Sequence, residues 1–134
     1  MTINTYEELK AVLTANTTKI KNIFNSIENG FAILQPNDNA EYTFLGYDSA
    51  LKCGGPKEND YYYVWTESVK DNSVFTDINS YLEDIFTCFN CGTRPENYYG
   101  TSLSVSNIVL IKNNGVVTAY YVDMFGFKTV DNFI

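Results

Sequence analysis

The chain has 134 residues and a net charge of −7, and 45% of its residues are hydrophobic. This length and apolar content are typical of one folded domain and exclude a disordered acidic tail. The sequence contains no histidine, which excludes Ser-His-Asp and Cys-His catalytic sites, histidine metal clusters and imidazole pH switches. The acidic balance disfavours direct binding to nucleic acid or to an anionic membrane, because both carry negative charge.

The first segment has the pattern of an amphipathic helix. Its apolar residues between Leu9 and Ile27 recur at spacings of three and four, which places them on one stripe of the helix. Thr5 and Glu8 have the spacing of a capping box at the start of this helix. Gly30 is placed to end it.

The polar run 14–18 allows a break within this helix. At Gly30 the spacing of the apolar residues changes from that of a helix to that of strands, and this change indicates the domain organisation. We predict that residues 1–30 form an N-terminal helix that packs on or flanks the domain, and that residues 31–134 form that domain as a single compact unit. The sequence has no long apolar run and no export signal, so we expect a cytoplasmic protein with reduced cysteines.

Three β-type runs and a short helix follow. The apolar run 31–34 predicts a strand, and the alternating run 41–45 is expected to pair with it as a hairpin. A short helix is predicted over 48–53. The run 61–66, which is rich in tyrosine, has the strongest β composition in the chain.

A second helix is expected after this strand, with Asp77 or Asn79 as its N-cap. Its apolar spacing turns Glu83 and Asp84 towards solvent. The stretch 90–100 contains two glycines and a proline and is predicted to be a loop.

The C-terminal part predicts a β-hairpin. Two β-type runs, 105–111 and 116–122, flank an Asn-Gly pair, which is the strongest short-range signal for a hairpin. A last strand is expected over 125–130. The predicted fold class is therefore α+β, with an N-terminal helix, an antiparallel sheet of about four to six strands, a second helix and a C-terminal β-hairpin.

Charge is concentrated in the middle of the chain. Residues 58–96 contain eight acidic residues against Lys70 and Arg94 only. Such a segment can offer carboxylates to a basic surface on a protein partner. We predict a partner-binding set of exposed acidic residues: Glu58, Asp60, Glu67, Asp71, Asp77, Glu83 and Asp84.

The residue types that could carry catalysis or bind metal form no complete site. Cys88 and Cys91 make a C-x-x-C pair, but with Cys53 and no histidine a zinc site lacks its fourth ligand. The pair also closes a predicted helix, whereas thioredoxin-type pairs begin one. We favour two ordinary half-buried thiols, with a redox or metal role as the alternative. Asp123 is interpreted as a strand-end residue bonded to backbone amides, with catalysis as the alternative. We predict no metal and no cofactor.

Clustered tyrosines could stack on bases or serve a protein interface. The absence of a basic groove in the sequence pattern favours the core or a protein interface. We predict that Tyr61, Tyr98 and Tyr99 are aromatic contacts for a partner.

The C-terminal half resembles a known family. Residues 82–90, LEDIFTCFN, and 94–100, RPENYYG, resemble the LEDIYxxFN and RPEDFxG signature of YodL-like domains. Residues 102–110, SLSVSNIVL, are similar to that family's SLSVSDVVxL, and 117–128 are similar to its closing AYYVDSFGFK. A looser similarity extends over 31–64. The first 30 residues lie outside the resemblance.

The chain departs from the family pattern at three places. Asn107 stands where the pattern has Asp, Met124 stands where it has Ser, and residues 91–93 add length before the Arg-Pro pair. The resemblance brings no catalytic residue to this chain.

The resemblance implies a biological context: accessory modules and small proteins of conjugative elements and phages of Gram-positive bacteria. We therefore expect a non-enzymatic counter-defence protein that binds a host nuclease, most concretely a type II-A Cas9, and blocks guide-RNA or DNA loading. The alternative is an adaptor or scaffold module of a conjugative element, which binds a protein partner through a sheet edge or the N-terminal helix. A nuclease is a third reading, and it would need a carboxylate cluster that holds a metal.

Overall fold

The computed structural model describes residues 5–90, 92 and 94–134. These residues form an α+β fold in which an antiparallel sheet of five strands has the order β2-β1-β3-β4-β5. No helix in this part of the chain is long and apolar enough to cross a membrane. The elements in chain order are α1 (Tyr6–Ser26), β1 (Gly30–Pro36), α2 (Tyr47–Lys52), β2 (Tyr61–Ser68), α3 (Ile78–Asn90), β3 (Ile108–Asn113), β4 (Val116–Val122) and β5 (Phe127–Val130).

Both faces of the sheet are covered. Helix α1, the connection 37–57 and Phe133 pack on one face, whereas α3 and the segment 94–104 pack on the other. The central strands β1 and β3 are therefore buried on both sides, which is why they read as unbroken apolar runs rather than as alternating ones.

Helix α1 packs on the sheet near the edge strand β2 and is fixed there at two points. The backbone N–H of Tyr63 in β2 donates to Thr17 Oγ1 at 2.8 Å, so the helix satisfies a group that a free strand edge would expose. The buried Lys112 in β3 donates from Nζ to the carbonyl oxygens of Phe24 at 2.8 Å and Asn25 at 3.3 Å. A cation at the last carbonyl groups of a helix is favourable for the helix dipole.

The predicted start of α1 is confirmed, but two predictions about the rest of it are wrong. Thr5 caps the helix by accepting the N–H of Glu8, and the helix then continues without a break through 14–18. It ends at Ser26 rather than at Gly30. Gly30 is instead the first residue of β1. Glycine is required at this position because a Cβ would collide with the carbonyl oxygen of Glu67 on the neighbouring strand.

The predicted strand over 41–45 is also wrong. Both edges of β1 are already paired, with β2 on one side and β3 on the other, so no place remains for a 41–45 strand. The segment forms turns instead, in which the N–H of Leu45 donates to the carbonyl of Tyr42 and Phe44 has a φ of 65°.

The remaining elements agree with the predictions apart from their ends. Asp77 is the residue whose side chain caps α3, since its carboxylate accepts the N–H of Ser80. The Asn-Gly hairpin joins β3 and β4 with positive φ at both Asn114 and Gly115, as the tightest hairpin turns require. Strand β3 begins at 108 rather than 105, because Ser106 has a φ of 84° and lies in a turn.

We predict that Lys112→Met destabilises the protein by about 1–3 kcal/mol, because the carbonyl groups at the end of α1 lose a charged donor. The free energy of unfolding in urea measures this loss. The exposed Lys19 on α1 provides the control, since Lys19→Met is expected to change stability by less than about 0.5 kcal/mol. Equal stabilities for the two variants would contradict the anchoring role of Lys112.

Candidate interaction surface

Two of the seven predicted acidic residues are half-buried rather than exposed, and both accept hydrogen bonds from within the domain. Glu58 is half-buried, with Lys21 Nζ at 3.0 Å from its Oε1 and the hydroxyl of Tyr63 donating to its Oε2 at 2.6 Å. Asp60 is half-buried as well and accepts the hydroxyl of Tyr42 at 2.7 Å. The prediction that both are exposed is wrong, because internal donors hold them on the side of the sheet that α1 covers.

The other five predicted acidic residues are exposed and lie between the end of β2 and the middle of α3. The ion pairs within the described part of the chain all involve Lys10 or Lys21, so none of them neutralises this group. We call it the acidic surface; its members are Glu67, Asp71, Asp77, Glu83 and Asp84.

Two members of the acidic surface cap short segments of backbone. Asp71 accepts the N–H of Ser73 at 2.9 Å, and Asp77 accepts the N–H of Ser80 at 3.2 Å. These backbone hydrogen bonds lower the pKa of both carboxyl groups below the usual value. Because the pKa is lowered in the folded state, the stability that each ionised carboxylate contributes through its hydrogen bond is present at neutral pH. It is lost as the pH falls through the folded-state pKa. Both groups are therefore fixed negative charges at neutral pH.

The other members lie beside the packed face of α3. Burial raises the pKa of Tyr81 on α3, and the negative charges of Glu67 and Asp84 raise it further. Glu83 lines a small cavity between α3 and the turn that joins β4 to β5. The acidic surface thus continues from the edge of β2 across α3 towards that turn.

Two of the three predicted aromatic contacts are in the core. Tyr61 and Tyr98 are 5% and 8% exposed, and their hydroxyls donate to the carbonyls of Ser106 and Thr101 at 2.8 Å. The expectation that these two rings are exposed is wrong, because each ring fills the core and only its hydroxyl needs a polar neighbour. Tyr99 is exposed and lines an open groove of about 400 Å³ between α1 and β2.

A buried polar network joins β1 to the segment that precedes β3. Gln35 donates from Nε2 to Asn107 Oδ1 at 3.0 Å and to the carbonyl of Thr101 at 2.9 Å, and its Oε1 accepts the Thr101 N–H at 2.9 Å. Asn107 Oδ1 also accepts the N–H of Ser104 at 3.0 Å. The motif at 102–110 thus serves to connect β1 to the segment before β3. Every buried polar side-chain atom in the described residues has a hydrogen-bond partner.

Sequence reasoning missed an exposed apolar cluster at one end of the sheet. It comprises residues from the turn between β4 and β5 and from the turns after β1. Asp123 Oδ1 joins the two segments by accepting the N–H groups of Tyr47 at 3.0 Å and Met124 at 2.8 Å, which confirms Asp123 as a strand-end residue bonded to backbone amides. We call this cluster the apolar tip; its members are Phe44, Leu45, Met124 and Phe125, which are 68%, 45%, 65% and 90% exposed.

Two features hid the apolar tip in the sequence. The sequence predicts Phe125 in the last strand, which begins only at Phe127, and it predicts Phe44 and Leu45 in a strand that does not form. The glycine after Phe125 was the available signal for a turn, and it has a φ of 72°.

The cysteines and carboxylates form no metal cluster within the described residues. Cys53 is exposed and Cys88 is half-buried at the end of α3. Cys91 lies outside the described residues, so the interpretation of Cys88 and Cys91 as two ordinary thiols stays a prediction.

The domain formed by the sheet and its two layers matches a known family model. The model of the YodL-like domain covers residues 30–133, from the first residue of β1 to the buried Phe133 that closes the core. The chain belongs to the YodL-like domain family. Helix α1 precedes the matched span. No curated protein and no solved structure is significantly similar to the chain.

We predict that Asn107→Ala costs about 1–3 kcal/mol of stability, because the side chain of Gln35 and the backbone N–H of Ser104 lose their shared acceptor. Asn107→Asp restores the residue of the family pattern and keeps an acceptor oxygen, so it should retain most of that stability at neutral pH. Urea unfolding of the two variants compares them directly. An Asp variant as unstable as the Ala variant would contradict the role of Oδ1 as the shared acceptor.

Proposed function

We propose that this protein is a non-enzymatic counter-defence protein of a mobile genetic element, an anti-CRISPR protein that acts in the bacterial cytoplasm. Its proposed target is a host nuclease, most concretely a type II-A Cas9, whose loading with guide RNA or DNA it blocks. The observation that carries the proposal is the acidic surface, in which five exposed carboxylates have no cationic partner among the described residues.

Electrostatic complementarity supports this function. A protein channel that receives an RNA–DNA duplex is lined with Arg and Lys, which contact the nucleic acid through its backbone. Carboxylates fixed on a folded surface can form charge-assisted hydrogen bonds with the same side chains. The capped carboxylates of Asp71 and Asp77 are held in place before binding, so little freedom is lost when they meet a cation.

The family supports the biological context rather than the target. YodL-like domains resemble accessory modules on conjugative elements and phages, where proteins that inhibit host defence are also encoded. Inhibition by occupation of a binding surface needs no catalytic group, which suits a chain without histidine.

We predict strong inhibition of DNA cleavage when the protein is added to Cas9 before the guide RNA, and little when it is added afterwards. A variant of the acidic surface should need at least roughly 10-fold more protein for the same inhibition, because several charge pairs with the target are lost. This variant carries Glu67→Lys, Glu83→Lys and Asp84→Lys, together with Asp71→Asn and Asp77→Asn, because Asn keeps a helix cap while removing its charge.

A matched control separates the acidic surface from overall charge. Glu7→Lys, Glu28→Lys, Glu41→Lys and Asp131→Lys change the net charge by the same amount at exposed positions elsewhere. This control should inhibit almost as well as the natural chain. Equal loss in both variants would reject the acidic surface as the site. Absence of inhibition by the natural chain in either order of addition would reject Cas9 as the target and favour the adaptor alternative.

A further inference from the structure

The apolar tip has the properties of a prepared binding element. Phe125, at 90% exposure, is the most exposed of the large hydrophobic residues in the described part of the chain, and Met124 beside it is 65% exposed. The neighbouring turn adds Phe44 and Leu45. The two turns are neighbours, because a Cβ at Gly46 would lie 3.4 Å from Met124 Cγ. Exposed apolar residues that lie close together mark an interaction site more often than isolated ones do.

The backbone beneath the tip is fixed by side chains of the core. The N–H of Phe44 donates to Ser106 Oγ at 2.9 Å, and the hydroxyl of Tyr121 donates to the carbonyl of Leu45 at 2.7 Å. Phe44 and Ser106 both have positive φ values, 65° and 84°, which residues other than glycine rarely adopt. Strained residues of this kind persist where the surrounding structure imposes them, often at binding sites.

The positive φ and the hydrogen bonds define the backbone conformation at Phe44, whose side chain is 68% exposed. Anchors that are rigid before binding lose little entropy on association, so they contribute more to affinity than mobile side chains do. Aromatic side chains in such positions are typical of the few residues that dominate a protein interface.

The charges around the tip decide what it contacts. Glu83 and Asp123 line the cavity that Met124 also borders, and Asp48 is exposed in the first turn of α2. An anionic membrane would be repelled by these groups, and so would a second copy of a chain with a net charge of −7. The fitting partner is a different protein that has an apolar pocket with a rim of Arg or Lys.

We infer that the apolar tip is the anchor by which this protein docks into such a pocket. This inference rests on the proposed function in one respect: it takes the acidic surface and the tip, which meet at Glu83 and Asp123, as parts of one interface. The acidic surface steers the two proteins together, and the tip then slows their dissociation.

The test measures association and dissociation rates on immobilised, guide-free type II-A Cas9. The double variant Met124→Ser, Phe125→Ser should dissociate at least roughly 10-fold faster, with little change in association rate. This loss should persist at high salt, because apolar contacts are not screened. The control is Val116→Ser, which removes a side chain of 68% exposure at the opposite end of β4, and it should bind as the natural chain does. Thermal unfolding checks that both variants fold.

The outcomes separate the tip from the proposed target. If the natural chain binds Cas9 and the double variant binds equally well, the tip inference is overturned while the proposed function stands. If the natural chain does not bind Cas9, that target is rejected. The natural chain, the double variant and the Val116 variant are then compared as baits for proteins from a host lysate. A purified captured protein that binds the natural chain and the Val116 variant but not the double variant supports the tip. Equal capture by all three, or no capture by any, overturns it.

Discussion

The structure depends on the short segment 101–107, which connects otherwise separate layers. Its backbone forms two hydrogen bonds with Val122 of β4. The Ser106 N–H donates to the Val122 carbonyl, and the Val122 N–H donates to the Asn107 carbonyl, each at 2.9 Å. Gln35 of β1 bonds to the same segment, and Asn90 at the end of α3 donates to the carbonyl of Leu103 at 2.8 Å. Because these polar groups are buried or half-buried, leaving any of them without a partner would destabilise the fold.

This connection also determines what the surface presents. Leu103 holds the end of the helix that carries Glu83 and Asp84, and Ser106 holds the backbone of Phe44. Part of the acidic surface and the backbone of the apolar tip are therefore attached to the same segment of the core. Such an arrangement suits recognition of a large partner, in which charge controls the encounter and a few apolar residues control the lifetime of the complex.

The sequence predicted the features that depend on neighbouring residues, because caps and tight turns are local. The Thr5 cap of α1, the Asp77 cap of α3 and the Asn-Gly hairpin are of this kind. The failures depend on distant contacts. Lys21 and Glu58 are 37 positions apart, so no local pattern shows that this carboxylate is already paired. Likewise, 41–45 alternates like a strand, but both neighbours of β1 are supplied by residues much later in the chain.

The most direct test of the central claim is a binding competition at equilibrium. Fluorescently labelled guide RNA is titrated onto guide-free type II-A Cas9 at increasing concentrations of this protein, and the apparent affinity for RNA is measured by anisotropy. Occupation of the RNA-binding surface predicts that the apparent affinity for the guide falls in proportion to the concentration of the protein, and that the guide weakens binding of the protein reciprocally. Simultaneous binding of both with unchanged affinities would contradict the account.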